Sequence, residues 1–479
     1  MRDTKLSFIV LGALVALAGV YGMKVWMTPG YQVAINPSVA DVQQSPALRT
    51  LKAVRGRSAS GLPVYNWALG VSPFPTPRPL VDAVRQHADY VKYSSVEGIP
   101  ELSEALSNKY SLPYYKIDAE NVLVAPGLKH LLLDAQLAFG GEILHVVPST
   151  FAYGDQTKLL GKHPVTIKTA ARNNYKLTPE DIEAVCRRDP TLPRMLLFSH
   201  PNNPTGVIYN REELRELAHV LKKYGIIVLA DEACLGCQHR GERLSMATFH
   251  PSLTVRMGSL SVDFGASGYR IGWAVFPSDL APLKEAMAAV GSNSYSCAPV
   301  PQQYAAVAAL SDSPEIKRYH NQMRFVLRCV SKDVTKRFNE LGVETTSADS
   351  AWYSFLNFEP LRGLLKARDI NTSEDLVNYL SGEVGIFFVP GTRFGLDPED
   401  LVVRASYVDF DGAEAFKLVE GLDLQEEPPL GLSYKWAPRI HKALDTLGDW
   451  LQEQQFPTEE TAGIHDSLQF DISDLQTVL

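Results

Sequence analysis

Gly258-Ser259-Leu260-Ser261-Val262-Asp263-Phe264-Gly265-Ala266-Ser267-Gly268-Tyr269-Arg270-Ile271-Gly272-Trp273 is the stretch around which this 479-residue chain is organised. Its arginine stands between Gly268 and Gly272, and Ser259 precedes it. A guanidinium is a planar fork that binds two oxygens of a phosphate at once. Upstream lie apolar runs at Val122–Ala125, Met195–Phe198 and Ile226–Ala230, and a strand-like run at Ile143–Val147 broken by His145. Continuous apolar runs of this length suit strands covered on both faces, as in a parallel sheet. Each run opens into a turn: Gly127-Leu128-Lys129, Pro148-Ser149-Thr150-Phe151, His200 to Gly206, and Asp231-Glu232-Ala233-Cys234. Ligands in such sheets bind at the strand carboxyl ends. The turn at Gly127 leaves backbone N–H groups free for an anion.

Composition sets the outer bounds. Hydrophobic residues make up 45% and charged residues 21%, ordinary for a globular chain with a sizeable core. The length suits one large domain with a smaller one. A formal net charge of -8, with no basic run, gives no nucleic-acid footprint. Five cysteines (Cys186, Cys234, Cys237, Cys297 and Cys329) are too few for a disulfide framework. Cys234 and Cys237 with His239 do not fill a structural zinc site, so no metal is expected.

The signature stretch resembles that of the class I/II aminotransferases, the fold-type I enzymes that use pyridoxal phosphate (PLP). Their pattern is Ser-x-Ser-Lys followed by Gly-x-Arg-x-Gly-Trp, and Val262 stands where the family has its lysine. His200-Pro201-Asn202-Asn203-Pro204-Thr205-Gly206 follows the family's Asn-Pro-x-Asn-Pro-Thr-Gly, with His200 for the first Asn. Pro390-Gly391-Thr392-Arg393-Phe394-Gly395 matches its Pro-Gly-x-x-Phe-Gly turn. The resemblance covers about residues 60 to 455. It implies an α/β fold: a mainly parallel large-domain sheet with helices on both faces, and a smaller α/β domain built from both ends of the chain.

The resemblance also implies roles. Ser259 and Arg270 hold the cofactor phosphate, with the cup at Gly127 and Lys129 beside it. Asn203 meets the phenolic oxygen, and Asp231 pairs with the pyridine nitrogen. Arg404 clamps the α-carboxylate of an amino acid, and Gly70 turns beside the substrate. Tyr93, five residues before Gly98, reaches the phosphate of a neighbouring subunit, which implies a homodimer with shared sites. Two positions depart from the pattern besides Val262. The tyrosine of Asp-x-x-Tyr is Cys234, and the stacking aromatic is Thr150 unless a one-residue slip places Phe151 there.

The family lysine holds PLP as a Schiff base and shuttles the substrate proton. Valine has no nitrogen and does neither. Three changes around one ring point to a pseudoenzyme serving as an accessory subunit of a membrane assembly. Two alternatives stand beside it. One is an active PLP-dependent amino acid aminotransferase that uses another lysine, such as Lys129. The other is a sensor that binds PLP, its amine form PMP or an amino acid without turnover. PLP or PMP, if bound, is expected to be held non-covalently, since residue 262 offers no amine.

The ends add a location. Leu6 to Met23 is uncharged and flanked by Arg2, Lys5 and Lys24, about the minimum that spans a bilayer as a helix. A single-pass anchor is the first reading, and a cleaved signal peptide with Ala16-Leu17-Ala18 as its site is the second. Residues 1–27 are thus read as anchor, 28–60 as a linker running into a helix near Pro46 to Arg55, and 61–77 as the first segment of the small domain. Residues 78–305 form the large PLP-binding domain and 306–457 the small C-terminal domain. The tail 458–479 has five acidic residues and no Lys or Arg.

Overall fold

The computed structural model describes residues 24–28, 31–40, 42 and 46–455. Strands β4 (Val122–Ala125), β5 (Glu142–Val147), β6 (Val165–Lys168), β7 (Arg194–Ser199), β8 (Ile227–Asp231), β9 (Thr254–Ser259) and β10 (Gly272–Val275) form one seven-stranded sheet. Its order is β4-β10-β9-β8-β7-β5-β6. β5 pairs parallel with β6 and β7, and β8 pairs parallel with β7 and β9. Only β10 runs against its neighbours, β9 and β4. The sheet is therefore mixed, with one reversed strand in a parallel array.

Alternation along each strand covers both faces. Leu144, Val146, Leu196, Phe198, Val228 and Ala230 pack into one cluster beneath the helices Pro179–Cys186 and Arg211–Lys223. Their neighbours Ile143, Met195, Leu197 and Leu229 pack on the other face, against Leu128–Ala138 and Ala281–Ser294. This explains the largely apolar runs: both pleat directions are buried. Local signals start the helices. Thr178 with Asp181, and Asn210 with Glu213, form reciprocal capping boxes that satisfy the first-turn N–H groups.

A second core lies beside the sheet. Strands β11 (Glu344–Thr345), β12 (Tyr353–Asn357), β14 (Val389–Pro390) and β15 (Val402–Ser406) form an antiparallel sheet in the order β11-β12-β15-β14. β3 (Tyr65–Asn66) pairs parallel with β13 (Ile386–Phe387), which ties an early segment of the chain to a late one. The long helix Pro314–Glu340 and the helix Pro438–Gln455 close this core, the latter through Ile440, Leu444, Leu447 and Leu451.

The amino-terminal region differs from its reading in part. Lys24–Thr28 (β1) and Tyr31–Ile35 (β2) form an antiparallel hairpin, so the end of the supposed anchor and the start of the linker are strands. β-branched and aromatic residues at alternate positions favour that outcome over an unstructured linker. The helix near Pro46 is present as Pro46–Ala59. The uncharged segment Leu6 to Met23 and the tail 458–479 lie outside the described residues. Among those described, no helix is long and apolar enough to cross a membrane.

Burial sets a pH dependence. Loss of water lowers His145, His200 and His320 to about 4 and His239 to about 3. The unfolded chain takes up protons on these rings near pH 6.5, and the fold resists until lower pH. Their contribution is thus present above pH 6.5 and lost as pH falls toward 4, about 1–2 kcal/mol each at pH 5. Asp263 and Asp134, raised by burial to about 7 and about 6, act in the opposite direction but are fewer. The melting temperature is expected to be lower at pH 5 than at pH 7, as calorimetry would show. A flat profile would mean that these rings are hydrated.

Candidate active site

Parallel strands leave a sheet at the same edge, so their carboxyl-terminal turns converge. Gly127 follows β4, Thr150 follows β5, Asn203 follows β7, Asp231 ends β8 and Ser259 ends β9. Reversal of β10 brings Arg270 to the same edge, because its amino end lies where its neighbours finish. The register states this directly: Gly272 stands opposite both Ser259 and Ala125.

At one end of this site Arg270 lies across Gly127. A Cβ at Gly127 would sit 2.1 Å from Arg270 Nη2, so only glycine leaves room for the guanidinium. Gly127 also has φ 97°, a conformation that favours glycine. Arg270 donates to the carbonyls of Ser267 (2.9 Å) and Pro126 (3.3 Å) and forms no ion pair among the described residues. Ser259 is buried and its Oγ accepts from Ser261 N at 3.4 Å. The helix Leu128–Ala138 begins here without a side-chain cap. Free N–H groups, a helix amino end and a guanidinium make an anion cradle.

In the middle, Asp231 is held from two sides. Tyr153 donates its hydroxyl to Asp231 Oδ2 at 2.7 Å, and Ala233 N donates to Oδ1 at 3.2 Å. Burial raises the Asp231 carboxyl despite these bonds. A cationic ring nitrogen would favour its ionised form. Cys234 is buried, and burial pushes its thiol well up, so it is a neutral, weak donor. Thr150 caps the helix Phe151–Leu159 by position but makes no side-chain cap bond. Phe151 packs near Phe394, and the Lys129 amine lies 5.2 Å from the Phe151 ring centre. Loss of water, then Arg270, lowers the Lys129 pKa. Val262 sits in the short helix Leu260–Asp263, half-buried against the cluster that holds Cys234, Cys237 and Met323.

At the far end Arg404 comes in from β15. It is 5% exposed. Nη2 donates to Ala68 O at 2.8 Å and Nη1 to Asn203 Oδ1 at 3.2 Å, while Nε has no partner. Its guanidinium carbon lies 4.8 Å from the Tyr353 ring centre and 5.2 Å from that of Phe394. No carboxylate pairs with it among the described residues, and burial lowers its pKa. Gly70 closes this end, since a Cβ there would meet Tyr353 at 2.9 Å.

The structure thus gathers Gly127, Lys129, Arg270 and Ser259 at one end, and Asn203, Arg404 and Gly70 at the other, with Asp231 and Cys234 between. Tyr93 is not brought to the site within one chain, because its side chain is 85% exposed. Sequence reasoning missed Tyr153 and Tyr353 as site residues. Tyr153 carried no signal beyond an aromatic after a turn; Tyr353 lay in a short strand with no motif.

PLP fits this site at three places: the cradle under Arg270, the carboxyl of Asp231 and the amide of Asn203. It does not find a tyrosine hydroxyl at Cys234, nor an amine at residue 262.

A mixed α/β sheet with this arrangement at its strand ends is the PLP-transferase fold of type I. Residues 63–416 match the family model for aminotransferase class I and II, and the chain belongs to that family. It is 29% identical over 384 residues to an aspartate aminotransferase of Geobacillus stearothermophilus, covering 77% of this chain and 93% of that protein. It is 27% identical over 394 residues to an asparagine–oxo-acid transaminase of Streptococcus mutans, covering 78% and 94%. Among solved structures, the aspartate aminotransferase of Rhizobium meliloti superposes with a TM-score of 0.72 at 25% identity, over 88% of this chain and 99% of that one. The Thermus thermophilus aspartate aminotransferase with maleate gives 0.72 at 22% identity, over 87% and 99%.

Proposed function

We propose that this protein is a PLP-dependent amino acid aminotransferase in which an amine other than residue 262 serves as the base. The observation that carries the reading is Arg404. A buried guanidinium without a carboxylate is costly. It is the arrangement expected where an incoming carboxylate completes the site. Relatives named for aspartate and asparagine transamination support an amino acid as the ligand. They also favour this reading over the accessory subunit that the sequence alone put first.

PLP, when bound, supplies an electron sink for the substrate α-carbon. The chain supplies the rest. Arg270, Ser259 and the Gly127 turn hold the phosphate. Asp231, positioned by Tyr153, accepts the ring N–H. Asn203 meets the phenolic oxygen, and Arg404 orients the amino acid. Lys129 is the first candidate to move a proton, because its lowered pKa leaves more of the amine neutral.

The test uses borohydride. Full-length protein is incubated with PLP, reduced and digested. A stoichiometric pyridoxyl group on one lysine peptide is the expected result and names the substitute base; its loss in Lys129→Met would assign it to Lys129. Reduction onto no lysine, with no bound cofactor, would leave the non-catalytic reading. That second reading has its own observation: the Val262 side chain packs into apolar core instead of presenting a polar group. PMP bound at one per chain without any adduct would identify a sensor.

The dimer is part of the same proposal. Tyr93 and Val91 are 85% and 91% exposed, an apolar and aromatic surface that a second copy would cover. Sedimentation is expected to give twice the chain mass. Tyr93→Phe should weaken PLP binding by about tenfold, the worth of one hydrogen bond to a charged group, and leave the dimer intact. Leu6 to Met23 supports membrane attachment, and carbonate extraction of the full chain from membranes tests it. Release into the supernatant would rule it out.

A further inference from the structure

The loop Gln238–Arg243 faces the middle of the long helix Pro314–Glu340, and the segment around Glu427, across a cavity of about 480 Å³. A volume of this size suits a small molecule. None of the residues placed at the cofactor or at Arg404 lines it. Arg240, Arg243, Arg324 and Arg328 do, and among the lining residues Glu427 is the one carboxylate.

Neutralisation is incomplete. Glu427 is shared among Arg240 (3.4 Å), Arg328 (3.9 Å) and the adjacent Lys332 (3.1 Å). Arg243 and Arg324 form no ion pair among the described residues. Arg324 donates Nε to Gly236 O at 2.8 Å. Burial, followed by Arg243, lowers Arg324 to about 10. Asp263 also acts on Arg324, but burial lifts that carboxyl to about 7, so it offsets the charge only in part.

Buried polar atoms lack hydrogen-bond partners as well, the acceptor Gln238 Oε1 among them. His239 lines the cavity at 6% exposure, and both of its ring nitrogens are without partners. Arg328 Nε makes no hydrogen bond, its contact with Glu427 being the long one at 3.9 Å. Buried polar groups are normally paired, and a cluster that is not points to a missing ligand. Like-charged guanidiniums held together by the fold cost energy that an anion would return.

We infer that this cavity is a second anion site, for a small molecule carrying two or more phosphate or carboxylate groups. Two guanidiniums without carboxylates, beside two that share one, call for more than a single negative charge. Guanidinium forks bind phosphate and carboxylate oxygens with the same geometry. The ligand would bridge the loop that also carries Cys234 and a helix of the second core.

The test titrates the full chain, by calorimetry and thermal shift, with pyrophosphate, citrate and orthophosphate. Saturable binding of pyrophosphate or citrate at one per chain, tighter than orthophosphate, is expected. The stronger of the two names the ligand class. Arg240→Gln with Arg243→Gln should weaken it by about tenfold or more. Arg270→Gln, which alters the cofactor cradle, should leave it unchanged. If the double variant does not fold, Arg243→Glu alone replaces it, since Arg243 is exposed. Absence of saturable binding overturns the inference. So does binding that is lost in Arg270→Gln and kept in the Arg240/Arg243 variant, which would place the anion in the cofactor cradle.

Discussion

Val262→Lys is expected to raise the rate of amino transfer by about 10²–10⁴, the worth of a positioned base. The short helix Leu260–Asp263 follows β9 directly, one turn after Ser259. A lysine there would start from the strand-end edge on which Gly127, Asn203 and Asp231 converge. Its stem would replace the contacts that Val262 makes with the Cys234, Cys237 and Met323 cluster. Losing a half-buried apolar side chain and placing an ammonium beside buried thiols costs stability, so the melting temperature should fall as activity rises. Borohydride reduction should then move the pyridoxyl group from the Lys129 peptide to the peptide containing residue 262. Two readouts separate the explanations. An adduct at 262 with no gain in rate would mean that the Cys234 and Thr150 changes, not the missing amine, limit the chemistry. No adduct at 262 or on any other lysine, with no bound cofactor, would mean that the cofactor does not seat in this cradle at all.

Arg404→Gln should have the second-largest effect, on binding. Removing one partner of a buried charge-assisted pair costs about 2–5 kcal/mol. Each 1.4 kcal/mol is about tenfold in affinity. Maleate, a dicarboxylate, is a suitable probe, and its dissociation constant should rise by roughly 30-fold to several thousandfold. The ligand-free protein should respond differently. Arg404 has no carboxylate to neutralise it, and burial lowers its pKa. Replacing it should cost little stability, because a buried charge leaves while Ala68 O and Asn203 lose one donor each. An unchanged maleate affinity would place the carboxylate elsewhere and remove the main support for the aminotransferase reading.

Much of the large sheet was legible in the chain. The runs at Val122, Ile143, Met195 and Ile226 read as strands because both faces of each are buried, and a segment covered on both sides is mostly apolar, His145 being the exception inside one of them. The turns read because glycine and proline mark them. Asp231, Asn203 and Ser259 could be placed near one another for the same reason, since parallel strands end at a common edge. The hairpin β1–β2 did not read, because its two five-residue strands are too short for their alternation to stand out from a linker rich in Pro, Gly and Ser. The membrane-assembly reading weighed Val262 and Leu6 to Met23 above the length of the match to amino acid aminotransferases.

The order of apolar runs and turns therefore determined the class of fold and the edge on which the site lies, since local hydrophobic pattern and turn chemistry act through neighbours in the chain. Only the tertiary structure decided three other things. Reversal of β10 carries Arg270 over Gly127. Tyr153 reaches Asp231 across the sheet edge. Four arginines from the loop after β8 and the long helix line one cavity, where two of them share Glu427. Each joins residues far apart in the chain, and the energy of those contacts depends on distance and burial, which exist only once the chain has packed.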